Sequence, residues 1–244
     1  MLNRALLVST GYRVLTREGA ERAARDASGW HSARSAARQA KAYETLLANL
    51  RAGRPRVDLS VAAEAIAATG LTRPSVLEVG CGNGYYSEVL SRLVQGGLSY
   101  TGLDYSPAMV ESAKERYPEQ HFDVGDATAL GFSDNAFDIV FNGVALMHIL
   151  NFEGCIRESA RVCRSHAIFH CVPTFVDHQT TYFSKFAYGE PVIEVVFNET
   201  DLRAMFAQSG LNVVRIWSSV NYDVFDVVGS HSRMITYLCT KSRV

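Results

Sequence analysis

Residues 71–244 of this 244-residue chain read as an α/β fold, with helices laid on a largely parallel sheet. Two observations predict it. Short apolar runs alternate with amphipathic helical patterns from about Leu71 onward. The first of these runs, "SVLEV", passes through Gly80, Gly82 and Gly84 straight into the helical pattern "YYSEVL". A hydrophobic share of 48% supplies one sizeable core, and the length sits at the upper end for a single domain, so one domain plus a cap is expected.

The elements follow in order. Ser75 to Val79 is a buried strand, Tyr85 to Leu93 a helix, Leu98 to Leu103 a strand, and Pro107 to Arg116 a helix opened by proline in its first turn. Short strands lie in "HFDVGDA" and "AFDIVFNG", then a helix over Phe152 to Cys163 and a fifth strand in "HAIFHCV". Residues 172–198 read as an aromatic, irregular insertion with a hairpin turning at Gly189-Glu190-Pro191. A helix resumes at "TDLRAMFAQSG", with Thr200 or Asp201 as N-cap and Gly210 as its stop. The terminal strands "NVVRIWSS" and "RMITYLCT" suit antiparallel pairing.

Residues 1–60 read as a helical cap over a domain of residues 61–244. The cap holds 11 Lys and Arg against 5 Asp and Glu, whereas the remainder holds 13 against 20. In "SARSAARQAKAYETLLANL", Arg34, Arg38 and Lys41 take one side of a helix, and Ala37, Ala40, Leu47 and Leu50 the other. Two readings stand: a solvated basic face, or a helix over a pocket that draws in an anionic substrate. No run approaches the roughly 18 apolar residues of a spanning helix, and the N-terminal "ALLVS" is too short for a leader. A soluble, cytoplasmic protein without a membrane partner is expected. The five cysteines (Cys81, Cys155, Cys163, Cys171 and Cys239) are dispersed and contain no C-x-x-C, which predicts neither disulfides nor zinc.

A strand that turns through glycines into a helix gathers backbone N–H groups and a helix N-terminus at the carboxyl end of the sheet. The plainer alternative is a turn that only permits tight strand-to-helix packing. A dinucleotide fingerprint is G-x-G-x-x-G; here the third glycine arrives one residue early, which speaks against a nicotinamide-dependent oxidoreductase. "LEVGCGNG" instead resembles the first motif of class I S-adenosylmethionine-dependent methyltransferases of the small-molecule type: an acidic residue, one spacer, then G-x-G-x-G. "YTGLDYSPAMVESAKERY" is similar to the family's second segment, and "VGDATALGFSDNAFDIVFNGVALMHI" to its third and fourth. The resemblance runs from about Pro74 to Arg164. It implies a Rossmann-like, mostly parallel sheet of seven strands with the last antiparallel, S-adenosylmethionine as cofactor, and methyl transfer as the activity.

Residue roles are carried by that resemblance. Glu78 would steady the loop of Gly80, Cys81, Gly82, Asn83 and Gly84 and the methionine end of the cofactor. Asp104 suits the two ribose hydroxyls, because an ionised carboxylate only accepts. Asp126 matches the acid that receives the adenine amino group, with Ala127 N–H beside it, and Tyr105 and Met109 would flank the ring. An Asx turn is the alternative for Asp126. Asn142 and Gly143 would offer backbone carbonyls to the methionine ammonium; Asp138 reads as structural. His148, in "ALMHI" past the fourth strand, stands where related enzymes carry a histidine facing the acceptor, as a base or as a positional group.

The remaining candidates serve the acceptor. Tyr43, His178, Tyr182 and Phe186 are read as pocket residues, with a small cluster under a long loop as the alternative for the insertion aromatics. His170, Asp177 and His178 show no recognised ligand spacing, and no metal is predicted. Two departures from the family pattern matter. "RVCRSHAIF" lacks the usual glycine pair before the fifth strand, and "FNGV" stands where N-acting nucleic-acid enzymes show [DN]-P-P-[YFW]. A small-molecule acceptor methylated on oxygen is expected, with no nucleic-acid partner, as a monomer or homodimer. A cofactor-binding protein without transferase activity, and an N- or C-methyltransferase, are the rival readings.

Overall fold

The computed structural model describes residues 9–26 and 29–242; most of the apolar run "ALLVS" lies outside them. Seven strands form an open sheet in the order β4-β3-β2-β5-β6-β10-β9. They are β2 (Ser75–Val79), β3 (Ser99–Asp104), β4 (His121–Val124), β5 (Phe137–Gly143), β6 (Cys163–Phe175), β9 (Leu211–Ser218) and β10 (Ser232–Lys241). β2 to β6 run parallel, and β10 runs antiparallel to both neighbours. This is the seven-stranded, mostly parallel arrangement expected.

Side-chain alternation along these strands makes two cores. Val76, Ile139, Phe141, Ile168 and Leu238 face α2 (Ala33–Arg51), α3 (Val57–Ala67), α4 (Tyr85–Leu93) and α5 (Pro107–Arg116). Leu77, Val79, Val140, Ala167 and Phe169 face α6 (Phe152–Val162) and α7 (Glu199–Gln208). All ten of these strand side chains are at most 2% exposed, so neither face can be recruited for binding. Ligand chemistry is confined to the strand ends.

Local signals explain the boundaries. Ser106 caps α5, accepting from Met109 N–H at 3.4 Å, with Pro107 at the first position. α7 opens one residue before the expected start, because Asn198 caps it by accepting from Asp201 N–H at 3.0 Å. Thr200 and Asp201 lie inside the helix. α6 passes straight into β6 at Cys163, consistent with the missing glycine pair.

The front segment differs from a purely helical cap. β1 (Ser9–Leu15) precedes α1 (Arg17–Asp26) and pairs antiparallel with β7 (Thr181–Ala187) of the insertion. β7 and β8 (Glu190–Asn198) form the hairpin, which reaches the main sheet through two parallel pairs at the end of β6. The turn centres on Tyr188-Gly189, with φ of 52° and 77°, rather than on Gly189-Glu190-Pro191. Two successive left-handed residues give the twist a tight hairpin needs, and Glu190 already belongs to β8. The boundary drawn at residue 60 falls within α3.

At the glycine hinge all three φ values are left-handed: 74° at Gly80, 53° at Gly82 and 79° at Gly84. A Cβ at Gly80 would sit 2.4 Å from the Ala145 Cβ, and one at Gly84 2.7 Å from the Phe122 ring. Gly84→Ala is therefore expected to cost about 1–3 kcal/mol in urea unfolding. Gly131→Ala, with nothing within 4 Å and no left-handed φ, should move stability by less than about 0.5 kcal/mol. Equal losses for the two variants would contradict the packing account.

Candidate functional site

Two turns meet at the carboxyl ends of β2 and β3. Gly80 N–H and Cys81 N–H both donate to the Leu103 carbonyl, at 2.7 and 3.0 Å, which folds the glycine loop back over β3. Asp104 then joins the two turns: Oδ2 accepts from Gly82 N–H at 2.8 Å and Oδ1 from Ser106 N–H at 2.9 Å. The side chain is buried. Burial pushes the Asp104 carboxyl above its ordinary range, against those two N–H groups.

Glu78, on β2, is 1% exposed. Its Oε2 accepts from the Tyr100 hydroxyl, while Oε1 has no hydrogen-bond partner among the described residues. Burial drives this carboxyl well above its usual range, with the Asp104 charge adding to the effect and the Tyr100 hydrogen bond opposing it. A Cβ at Gly143 would lie 2.5 Å from Glu78 Oε1, so only glycine on β5 leaves room for that oxygen. A buried, half-satisfied carboxylate is costly by itself and calls for a cationic or donor partner. Asn83 Nδ2 and Tyr86 Oη are also buried without partners among the described residues.

His148 sits in the short 3-10 turn Leu146–His148 after β5. Its Nδ1 lies 2.8 Å from the Ile193 carbonyl of β8, so Nδ1 carries the proton and Nε2 keeps its lone pair. Burial first, then the nearby Lys185 ammonium, push the imidazole down to about 4. Lys185 and Glu194 form a buried ion pair between β7 and β8, and Tyr222 donates to Glu194.

The front segment crosses these strand ends. Trp30 packs edge-on against His148 at 5.1 Å and against Tyr188 at 5.7 Å, and its carbonyl accepts from Ser106 Oγ at 2.9 Å. His31 meets Tyr105 at 4.3 Å. Gln39 Oε1 accepts from Asn83 N–H at 3.3 Å, over the glycine loop. Arg38 donates to the Tyr188 carbonyl at 2.8 Å, whereas Arg34 and Lys41 face solvent. Tyr43 shares a 2.9 Å hydroxyl contact with Tyr188 and stacks, tilted, on Tyr85 at 4.3 Å.

The structure thus brings Glu78, the Gly80–Gly84 loop, Asp104, Tyr105, Met109, Gly143, His148 and Tyr43 to the same end of the sheet. Met109 is buried and Tyr105 exposed. Cys81 turns its thiol into the core beside Gly102. Asn142 points its amide toward α6, donating to Ser159 at 3.2 Å, which leaves only its backbone for the crevice. Asp126 is exposed and forms an Asx turn, Oδ1 accepting from Thr128 N–H and Oγ at 2.8 Å each; Ala127 packs partly buried behind it. Asp138 is tied to Ser75 and Arg164 at the opposite end of the sheet.

Three acceptor candidates sit elsewhere. His178 packs on Phe175 at 4.8 Å and lies 3.4 Å from Ser230 Oγ. Tyr182 belongs to the core behind α6, and Phe186 is half exposed against Gly11 of β1. None of the three shares a described hydrogen bond or ring contact with His148, Trp30 or the glycine loop. Trp30, Gln39 and Tyr188 take that place. The spacing of Gln39 and Tyr43, one turn apart on α2, was the signal available in the sequence.

Comparison with known proteins agrees with this architecture. The family described as a methyltransferase domain matches residues 77–171. Demethylmenaquinone methyltransferase of Staphylococcus haemolyticus is 28% identical over 167 residues, 58% of this chain and 70% of that protein. Probable phthiotriol/phenolphthiotriol dimycocerosates methyltransferase 2 of Mycobacterium ulcerans is 38% identical over 101 residues, 41% of this chain and 39% of that protein. A solved S-adenosylmethionine-dependent methyltransferase from Clostridium acetobutylicum aligns with a TM-score of 0.59 at 16% identity, covering 84% of this chain and 98% of the other. Magnesium protoporphyrin IX methyltransferase of Synechocystis, solved with S-adenosylmethionine bound, aligns at 0.54 and 21% identity over 82% and 85%. No helix among the described residues is long and apolar enough to cross a membrane. Residues 77–171 thus match the methyltransferase-domain family, and in motif and sheet order the chain is similar to the class I S-adenosylmethionine-dependent methyltransferases.

Proposed function

We propose that this chain methylates an oxygen, hydroxyl or carboxylate, of a small-molecule acceptor held between His148 and the front segment. One observation carries the reading: His148, anchored through Nδ1 on the Ile193 carbonyl beside Trp30, keeps Nε2 unprotonated. When bound, S-adenosylmethionine supplies a methyl group already activated by its sulfonium, so the protein's work is placement and proton removal. As the acceptor oxygen forms its new bond to carbon, a hydroxyl proton becomes acidic, and even a weakly basic imidazole takes it at Nε2. A carboxylate acceptor sheds no proton and uses His148 for placement alone.

The residues present fit the cofactor. Glu78 Oε1, buried and without a donor, is the counter-charge an amino-acid ammonium satisfies, and Gly143 with the Asn142 backbone lies beside it. Asp104 keeps lone pairs beyond those given to Gly82 and Ser106 for the ribose hydroxyls. Met109, Tyr105, Asp126 and the Ala127 N–H are assigned to the adenine. Gln39, which already accepts from the glycine loop, and Trp30 make the front segment a lid. Tyr43, Tyr188 and Trp30 form an aromatic wall suited to a flat or apolar acceptor, in place of His178, Tyr182 and Phe186.

Glu78→Gln and Asp104→Asn are each expected to weaken S-adenosylhomocysteine binding roughly 10- to 100-fold in calorimetric titration, the worth of a charged hydrogen bond. Unchanged affinity in both would remove these assignments. Across phenolic, sugar and carboxylate acceptors, followed by S-adenosylhomocysteine release, His148→Ala should lose about 10²–10⁴-fold in kcat on a hydroxyl acceptor and keep its cofactor affinity. Wild-type turnover would eliminate the base.

The same imidazole makes stability depend on pH. Its proton is bound near 6.5 in the unfolded chain but only near 4 in the folded one, so stability is complete above 6.5 and declines as pH falls toward 4. His148→Asn should flatten the fall in urea midpoint between about pH 7 and about pH 5. A slope identical to wild type would show that the ring is not enclosed as described.

A further inference from the structure

We propose that Asp58, His170 and Cys171 form a binding site for a thiophilic divalent cation of the zinc type, with Tyr86 at its fourth side. The site arises from a bulge near the carboxyl end of β6. Phe169 pairs with Tyr237 and Val172 with Ile235, so His170 and Cys171 together oppose Thr236 alone. On a regular strand two successive side chains leave on opposite faces. Here Cys171 has a left-handed φ of 53°, and its sulfur comes to the same side as the neighbouring imidazole, 3.3 Å from His170 Nε2.

The surroundings complete a ligand set. His170 Nδ1 is held 2.9 Å from Thr236 Oγ1, the outer partner that leaves Nε2 to coordinate. Asp58, in the first turn of α3, brings a carboxylate so that its oxygen, the imidazole nitrogen and the sulfur all lie within 4.8 Å of one another. All three residues are buried. Tyr86 supplies an independent pointer: it is fully buried, its hydroxyl has no hydrogen-bond partner among the described residues, and it meets the His170 ring edge-on at 5.6 Å.

One nitrogen, one sulfur and one carboxylate are the donor chemistry of zinc rather than of magnesium or calcium, which take oxygen. Coordination replaces the Cys171 S–H bond by a sulfur–metal bond and releases the proton to solvent. Thiolate and carboxylate then set two negative charges against the cation's two, with the Arg56 guanidinium leaving one net positive charge at the site. Arg56 grips both Asp58 oxygens at 2.6 Å and remains on their other lone pairs, while Ser219 Oγ, 3.1 Å from Cys171 Sγ, steadies the thiolate. The cation would tie α3 to the sheet beside the glycine hinge.

Cobalt(II) titration of the chelator-treated full-length chain tests this without an acceptor. The expected result is a near-ultraviolet sulfur-to-cobalt charge-transfer band that saturates at one metal per chain and is displaced by zinc. The band should disappear in Cys171→Ser and in His170→Gln and survive in Cys155→Ser, whose sulfur lies behind β5. Asp58→Asn, read by the same band, covers the case in which Cys171→Ser does not fold, and should weaken cobalt binding. Absence of the band in the wild-type chain, or its persistence in Cys171→Ser, would reduce these residues to a hydrogen-bonded cluster and overturn the proposal.

Discussion

Asp104 accepts N–H bonds from the turns that leave β2 and β3, and the geometry of the crevice hangs on that one carboxylate. It fixes how far the glycine loop lies from the start of α5. A carboxylate removed from water is tolerated only while its oxygens are engaged, so the two turns and the acid stabilise each other. Glu78 is the contrasting case on the adjacent strand: one oxygen takes the Tyr100 hydroxyl and the other has no protein donor. The structure holds one acid with both oxygens engaged and one with a buried oxygen that has no partner among the described residues.

The glycines serve this arrangement differently from a simple clearance of space. The room that their missing side chains create is filled by Ala145, Gln39 and Phe122. Two of these neighbours are rigid core groups, and the third is the mobile end of a glutamine on the front segment. Close packing therefore fixes the hinge at both ends, and the middle glycine faces the segment that closes over it. The hairpin adds the other half of that closure. Arg38 and Tyr43 of α2 hold its turn, while its second strand supplies the carbonyl that orients His148. Cap, insertion and catalytic end of the sheet are thus one connected contact system, although they lie far apart in the chain.

What was legible in the sequence was what local physics dictates. Apolar runs fixed the seven strands, Pro107 the start of α5, and the spacing of Glu78 and the glycines the ligand class. Nonlocal pairing was not legible. β1 carries Gly11 and a bulge between Thr10 and Arg13 in place of a regular apolar alternation, so it signals no strand without β7 beside it, and the hairpin turn shifted by a residue because Tyr188, with no special preference for a left-handed φ, takes one there. Asn198 outcompeted Thr200 and Asp201 as a cap since only its amide reaches the first free N–H groups. Their place in the insertion after the fifth strand, with its aromatics, made pocket candidates of His178, Tyr182 and Phe186; in the structure Tyr182 and Phe186 lie on β7 in packing and edge positions, and His178 in the loop before it packs on Phe175. Trp30 and Gln39 carry no motif; Gln39 is placed over the crevice by the docking of α2, and Trp30 by the short turn Gly29–His31 ahead of it, whose carbonyl at Trp30 accepts from Ser106. The bulge that turns His170 and Cys171 the same way has no sequence signature at all.

The most direct measurement is a crystal structure of the chain grown with S-adenosylhomocysteine. Ribose hydroxyls are expected on Asp104 and the amino-acid ammonium against Glu78 Oε1, with Gln39 and Trp30 closing over the nucleoside. Density for the nucleoside at any other location, or a crevice still filled by Gln39 with Glu78 Oε1 unpartnered at saturating ligand, would contradict it.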